Sequence, residues 1–184
     1  ESFVDFVDLQ QNESIEDVTF IKDDILEKYT NLYIIKSISK SYGVPGVRLG
    51  LLASADKKEM ERIRSTLPIW NINSFGEFFM QIFNKYKKNY IESMEKFRNT
   101  RRRFLRDLQE IAYLKVLPTQ ANYVMCEVVG MDSEQLCIKM FEKGVLIKDA
   151  SSKMSNGRSY IRIAVRTEIE NNILIGYFKE IYKD

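Results

Sequence analysis

Ser37-Ile38-Ser39-Lys40-Ser41-Tyr42-Gly43-Val44-Pro45-Gly46-Val47-Arg48-Leu49-Gly50 is the stretch on which the reading of the whole chain turns. It sets one lysine just past an apolar run, then glycines and a proline, then an arginine eight residues on. Leu32-Tyr33-Ile34-Ile35 reads as a buried strand whose end can deliver Lys40 from a rigid edge into a cleft. A lysine there is expected to be partly desolvated, which favours the neutral amine that condenses with aldehydes. Ser37, Ser39 and Arg48 could hydrogen-bond and neutralise a phosphate, Arg48 through a planar fork of donors. Gly43, Gly46 and Gly50 let the backbone fold closely around such a ligand. The plain alternative is a strand followed by an ordinary glycine-rich turn, and spacing alone favours it.

The whole string, however, resembles the lysine signature of class I/II pyridoxal-phosphate aminotransferases (fold type I), S-x-S-K-x-x-x-x-x-G-x-R-x-G, with every fixed position filled. The resemblance implies that Lys40 binds pyridoxal 5'-phosphate and moves the substrate's α-proton. It makes Ser37, Ser39 and Arg48 cofactor-binding. Glu1 to Phe6 reads as the end of a strand running into a loop, and it resembles the family's D-E-x-[YF]-x-x-F segment entered one residue late. The aspartate implied for the pyridine nitrogen would precede Glu1. Phe3 stands where many members have a tyrosine, which makes the segment similar to that of threonine-phosphate decarboxylases, relatives of the histidinol-phosphate aminotransferases.

Composition bounds the other possibilities. The 184 residues include 28 basic and 26 acidic side chains, a balance that calls for neither nucleic acid nor a membrane surface. Cys126 and Cys137 lie in apolar runs and are expected as buried thiols, and the lack of histidine argues against a zinc site. No apolar run approaches the ~20 residues of a membrane span. The chain begins with Glu1, so a piece of a larger cytoplasmic enzyme is expected.

Along the chain, Asp23 to Tyr29 predicts a short helix and Leu49 to Ala53 a second strand. Asp56 with Glu59 starts a helix that Pro68 ends, and this alternation fits part of a parallel sheet. In the Pro68 to Asn73 linker, Trp70 either lies near the cofactor and a partner subunit, as the family implies, or fills a gap between domains. Ser74 with Glu77 forms a capping box for a helix carrying Phe75, Phe78, Phe79 and Phe83. From Tyr90 to Ile111 apolar residues recur at helical spacing, while Arg98, Arg101, Arg102, Arg103 and Arg106 cover most of the other face. Interleaved acidic residues make that a solvated face rather than an RNA or lipid surface. Strands are expected at 114–117, 121–128, 145–147 and 160–166, with helices begun by Asp132 or Ser133 and by Thr167.

Arg162 sits mid-strand among apolar residues, where it needs a carboxylate from the protein or from a substrate. The residues leave these two even. The family's Y-[IVL]-R-[IVL] strand implies that Arg162 grips the substrate's α-carboxylate, and Asn122 matches the A-N-[FY] segment that supports it. Arg158 and Arg166 could suit a second anion such as a phosphorylated side chain, with surface charge the favoured alternative.

The expected fold class is α/β, the C-terminal part of the fold type I large domain (1–89) followed by a long connecting helix and a small α+β domain (90–184). The expected function is a pyridoxal-phosphate-dependent aminotransferase acting on an amino acid, phosphorylated or not, as a homodimer when full length. The alternatives are a threonine-phosphate decarboxylase-like enzyme, or a fragment that folds in its later part without catalysing.

Overall fold

Antiparallel pairing organises both parts of the chain. The computed structural model describes residues 1–181 and divides into two units, Glu1 to Glu95 and Lys96 onward.

The first unit opens on a 3-10 turn, Val4–Phe6, where the sequence predicts the end of a strand. Two short helices, α1 (Ile15–Val18) and α2 (Asp23–Lys28), precede strand β1 (Ile34–Ser37). The one-turn helix α3 (Ile38–Ser41) and a 3-10 turn at Pro45–Val47 then lead into β2 (Gly50–Ala53). The two strands pair antiparallel, Ile34 opposite Ala53 and Ser37 opposite Gly50, not in the parallel manner expected. The connection leaves and re-enters at the same end of the pair, so no crossover is made. β1 is also not buried on both faces. Ile34 is 6% exposed and Ile35 69%, the alternation of a strand with one open side. A Cβ at Gly50 would lie 3.2 Å from the Lys36 carbonyl oxygen, so this close pairing favours glycine.

Helix α4 (Lys57–Thr66) begins as predicted, with the Asp56 carboxylate accepting the Glu59 amide at 3.0 Å. Helix α5 (Ser74–Phe83) is capped by Asn73 instead of Ser74. The Asn73 side chain accepts from the Gly76 amide at 2.9 Å and donates to the Val47 carbonyl at 2.9 Å. An amide can serve both groups at once, which ties α5 to the loop behind Lys40.

Lys36 and Asp5 form an ion pair at 3.0 Å, with Asp5 only 3% exposed. Removing one partner of a buried pair costs about 3–5 kcal/mol. Lys36→Met should therefore lower the urea midpoint of the protein markedly. An unchanged midpoint would show that Asp5 carries its charge without this cation.

Helix α6 (Lys87–Gln109) spans the boundary at residue 95. The second unit continues with β3 (Leu114–Val116), β4 (Tyr123–Val128), α7 (Ser133–Glu142), β5 (Lys148–Asp149), β6 (Ser159–Ala164) and α8 (Glu168–Ile181). Its sheet has the order β3-β4-β6-β5, with every neighbouring pair antiparallel. Phe104 and Leu108 of α6, Leu136 and Met140 of α7 and Phe178 of α8 pack on Val124, Cys126, Ile161 and Ile163 of the central strands. That buries one sheet face and leaves Tyr123, Met125, Arg162 and Ala164 on the other. β5 falls on Lys148–Asp149 instead of 145–147.

Caps in this unit follow the sequence. Asp132 accepts from the Glu134 and Gln135 amides, and Thr167 and Glu170 bond reciprocally at the start of α8. The expectation of a wholly solvated arginine face on α6 is corrected: Arg98 is 9% exposed and Arg101 0%. Cys126 is buried and Cys137 half-buried, both as free thiols, and burial pushes the Cys126 thiol up to about 12. Among the described residues no helix is long and apolar enough to cross a membrane, and none of their acidic and cysteine side chains cluster as a metal site would need.

Candidate active site

In the first unit the chain delivers Lys40 on the single turn α3, directly after β1. The turn is held at several points. The Ile38 amide donates to the Leu49 carbonyl at 3.1 Å, and α3 packs against the 3-10 turn at Pro45–Val47. Gly43 follows at φ +65°, a left-handed position that lets the chain reverse immediately after Lys40. Behind the turn the Tyr42 ring stacks on Tyr90 at 4.3 Å and meets Phe83 edge-on at 4.8 Å. Such aromatic contacts contribute about 0.5–1.5 kcal/mol each beyond area burial and give the turn a stiff base. Burial also raises the Tyr90 phenol well above its ordinary range, so it stays protonated.

The Glu1–Ser2 segment lies alongside β1, with the Ser37 amide donating to Ser2 Oγ at 3.3 Å. That brings Phe3 under the lysine, whose Nζ sits 4.7 Å from the ring centroid. Lys40 is exposed, so the desolvation expected for its amine is not present in this structure. Its nearest aromatic neighbour offers no hydroxyl.

The phosphate candidates fall into two groups. Arg48 is exposed, with one long hydrogen bond to the Pro45 carbonyl at 3.4 Å. Its backbone lies in the left-handed region at φ 55°, where a non-glycine residue costs about 1–3 kcal/mol. Strain of this kind is kept where a side chain must be aimed. Ser37 is half-buried at the end of β1. Ser39 is buried, its hydroxyl turned to the Leu49 carbonyl at 3.5 Å. An exposed amine on a braced turn, followed by an exposed guanidinium, fits an aldehyde that also carries a phosphate.

The second unit holds the other candidates. Arg162 is exposed on the open sheet face, not enclosed by apolar neighbours. Its guanidinium carbon lies 5.3 Å from the Tyr123 ring centroid, and no carboxylate pairs with it among the described residues. Asn122 leads into β4, its carbonyl accepting from the Val165 amide at 3.0 Å. Its side-chain amide has no hydrogen bond among the described residues.

The two arginines considered for a second anion are both engaged. Arg158 pairs with Glu127 at 3.3 Å and Arg166 with Glu170 at 2.7 Å, so the surface-charge alternative holds for them. Sequence reasoning missed one further residue. Lys148 is directly opposite Arg162 in the β5–β6 pairing, exposed and without a carboxylate partner among the described residues. Like charges directly opposite on a sheet repel. Two exposed cations so placed are balanced by solvent or by an anion. The signal for Lys148 in the sequence was the register of a two-residue strand, which no periodicity reveals.

Comparison with known proteins identifies the family. Residues 5–178 match the family model described as aminotransferase class I and II. The chain is 33% identical over 159 residues to CMP-5'-(3-aminopropyl)phosphonate synthase of Streptomyces rubellomurinus, covering 85% of this chain and 25% of that protein. It is 31% identical over 189 residues to L-serine phosphate decarboxylase of Sulfurospirillum multivorans, covering 100% of this chain and 47% of that one. Among solved structures, the histidinol-phosphate aminotransferase from Clostridium acetobutylicum superposes with a TM-score of 0.78 at 26% identity, over 85% of this chain and 47% of that one. The chain thus spans about half or less of the length of these relatives.

Proposed function

This chain belongs to the class I and II aminotransferase family, whose members depend on pyridoxal phosphate, and we propose that the full-length protein transfers the amino group of a phosphorylated amino acid. The fold agrees with that membership, a fold type I arrangement of mixed α and β elements. When bound, pyridoxal phosphate supplies an electron sink at the substrate's α-carbon.

The chain's own residues do the rest. Lys40 would hold the cofactor, and its freed amine would take the proton from the substrate's α-carbon. Arg48 neutralises the cofactor phosphate with Ser37 beside it, and Ser39 joins them if its hydroxyl leaves the Leu49 carbonyl. Arg162 receives the α-carboxylate through a bidentate fork, and the Asn122 amide donates next to it. A homodimer belongs to the same reading, supported by the exposure of Ile69, Trp70, Phe75 and Phe78.

One observation carries the preference for a phosphorylated substrate, the Arg162–Lys148 pair on adjacent strands, neither of which has a carboxylate partner among the described residues. One cation suffices for a carboxylate, whereas two suit a substrate that brings both a carboxylate and a phosphate. The serine phosphate decarboxylase resemblance supports the same substrate class.

A second reading is decarboxylation, favoured by Phe3 beneath Lys40. The two readings divide on which anion the cations hold. A clamped carboxylate is retained, while a clamped phosphate leaves the carboxylate free to depart as carbon dioxide.

The test gives full-length holoenzyme phosphoserine, phosphothreonine and histidinol phosphate alongside their unphosphorylated counterparts. Phosphorylated compounds should show higher kcat/KM, and Lys148→Ala should erase about tenfold of that preference, the scale of one charge-assisted hydrogen bond. Equal rates for both series would overturn the substrate class. Carbon dioxide release without transfer to an oxo acid would establish the decarboxylase reading.

A further inference from the structure

We infer that Arg101 is a positioning residue for the substrate site, holding from beneath the backbone that presents Asn122. The inference rests on the role proposed above for Asn122 and Arg162.

Arg101 is fully buried, the largest side chain to be so among the described residues. Taking a guanidinium out of water costs several kcal/mol, and packing alone would be served as well by leucine or methionine. Two of its guanidinium nitrogens reach one short segment. The guanidinium donates to the Ala121 carbonyl at 3.1 Å and to Gln120 Oε1 at 3.2 Å, and it lies 5.9 Å from the Phe97 ring centroid on the same helix.

The Ala121 carbonyl and the Asn122 backbone N–H belong to one rigid peptide plane, so fixing the first holds the backbone from which the Asn122 side chain projects. Two other anchors complete the hold. Thr119 Oγ1 accepts from the Ala121 amide at 3.1 Å and donates to the Tyr123 carbonyl at 2.8 Å. On the far side the Asn122 carbonyl is fixed to the Val165 amide at 3.0 Å, three residues past Arg162.

The segment from Gln120 to Tyr123 is therefore braced by α6, by its own threonine and by the end of β6. Through it, one buried charge helps hold the backbone that carries both the Asn122 side chain, whose amide has no hydrogen bond among the described residues, and the Tyr123 ring that lies 5.3 Å from the Arg162 guanidinium. A loop carrying a ligand-binding amide drifts unless something rigid holds it. Helix α6 is the rigid element, and Arg101 is its connection.

The experiment uses the full-length holoenzyme with Arg101→Met, Arg101→Lys and Gln120→Leu. Amide exchange and substrate binding are the readouts, with phosphoserine as the probe. In Arg101→Met, exchange of the 120–122 amides should quicken about tenfold as a local opening, while the β4–β6 amides from Val124 onward keep their protection. Phosphoserine affinity should fall about tenfold, the scale of a lost charged hydrogen bond, with cofactor occupancy unchanged. Arg101→Lys, which keeps the charge and one donor, should recover part of both losses, and Gln120→Leu should give a smaller version of each.

A quickened loop with unchanged affinity would overturn the inference, as would unchanged exchange in Arg101→Met. Loss of β4–β6 protection in both Arg101 variants would also overturn it, by showing that the residue merely holds the unit together. Failure of the underlying site reading is seen separately, as an Arg162→Ala enzyme that binds phosphoserine normally while Arg101→Met still loosens residues 120–122.

Discussion

Lys40→Ala in the full-length enzyme is expected to reduce turnover by about 10²–10⁴-fold or more, because that range covers the proton transfer alone. On the proposed reading the substitution also removes the amine that anchors the cofactor. The absorbance of the holoenzyme should therefore shift, and dialysis should strip a cofactor now held only through Arg48 and its neighbours. The protein's stability should change little, since Lys40 is exposed and its side chain rests over the Phe3 ring. A small primary amine added to the medium should restore part of the proton transfer. Lys36, four residues earlier, gives the contrasting case: it serves a buried ion pair, so its loss should be felt in stability first. Retention of full turnover by Lys40→Ala would mean that another amine does the chemistry. Borohydride reduction and peptide mapping of the wild-type holoenzyme would then name it.

The lysine turn was legible in the sequence because each of its features has its own local cause. A strand end, a glycine for the reversal and an arginine after it can all be read within fourteen residues. The helix caps at Asp56, Asp132 and Thr167 were legible for the same reason. What could not be read was set by contacts distant in sequence. Asn73 outcompetes Ser74 as a cap because its second bond goes to Val47, 26 residues away. The burial of Arg101 depends on carbonyl and amide oxygens about twenty residues on, which helical periodicity cannot anticipate. Antiparallel pairing of β1 with β2 follows from where the chain re-enters, and the strand pattern is silent on that. Lys148 was hidden by its two-residue strand. Arg162 was read on the correct strand and face, yet its supposed apolar setting was an error: neighbours along a strand face opposite sides, so Ile161 and Ile163 bury while Arg162 does not.

That exposure changes what Arg162→Ala should do. A buried, uncompensated arginine would make the substitution a test of folding. An exposed one, resting over Tyr123 and bonded to no carboxylate among the described residues, makes it a test of binding. Stability should stay within about 0.5 kcal/mol of the parent, as for surface substitutions elsewhere. The cofactor should remain in place, because the residues proposed to hold it lie in the first unit while Arg162 lies in the second. Substrate is another matter. Truncating one partner of a desolvated, hydrogen-bonded charge pair costs about 2–5 kcal/mol, or roughly 30-fold and upward in affinity. The loss should appear in KM for every amino acid offered. Lys148→Ala should instead weaken mainly the phosphorylated ones. Because the two cations face each other across one strand pair, their effects on a phosphorylated substrate should be coupled and not additive. Measuring phosphoserine affinity in both single variants and in the double variant checks this directly. An Arg162→Ala enzyme with unchanged KM would remove this sheet face from the substrate site.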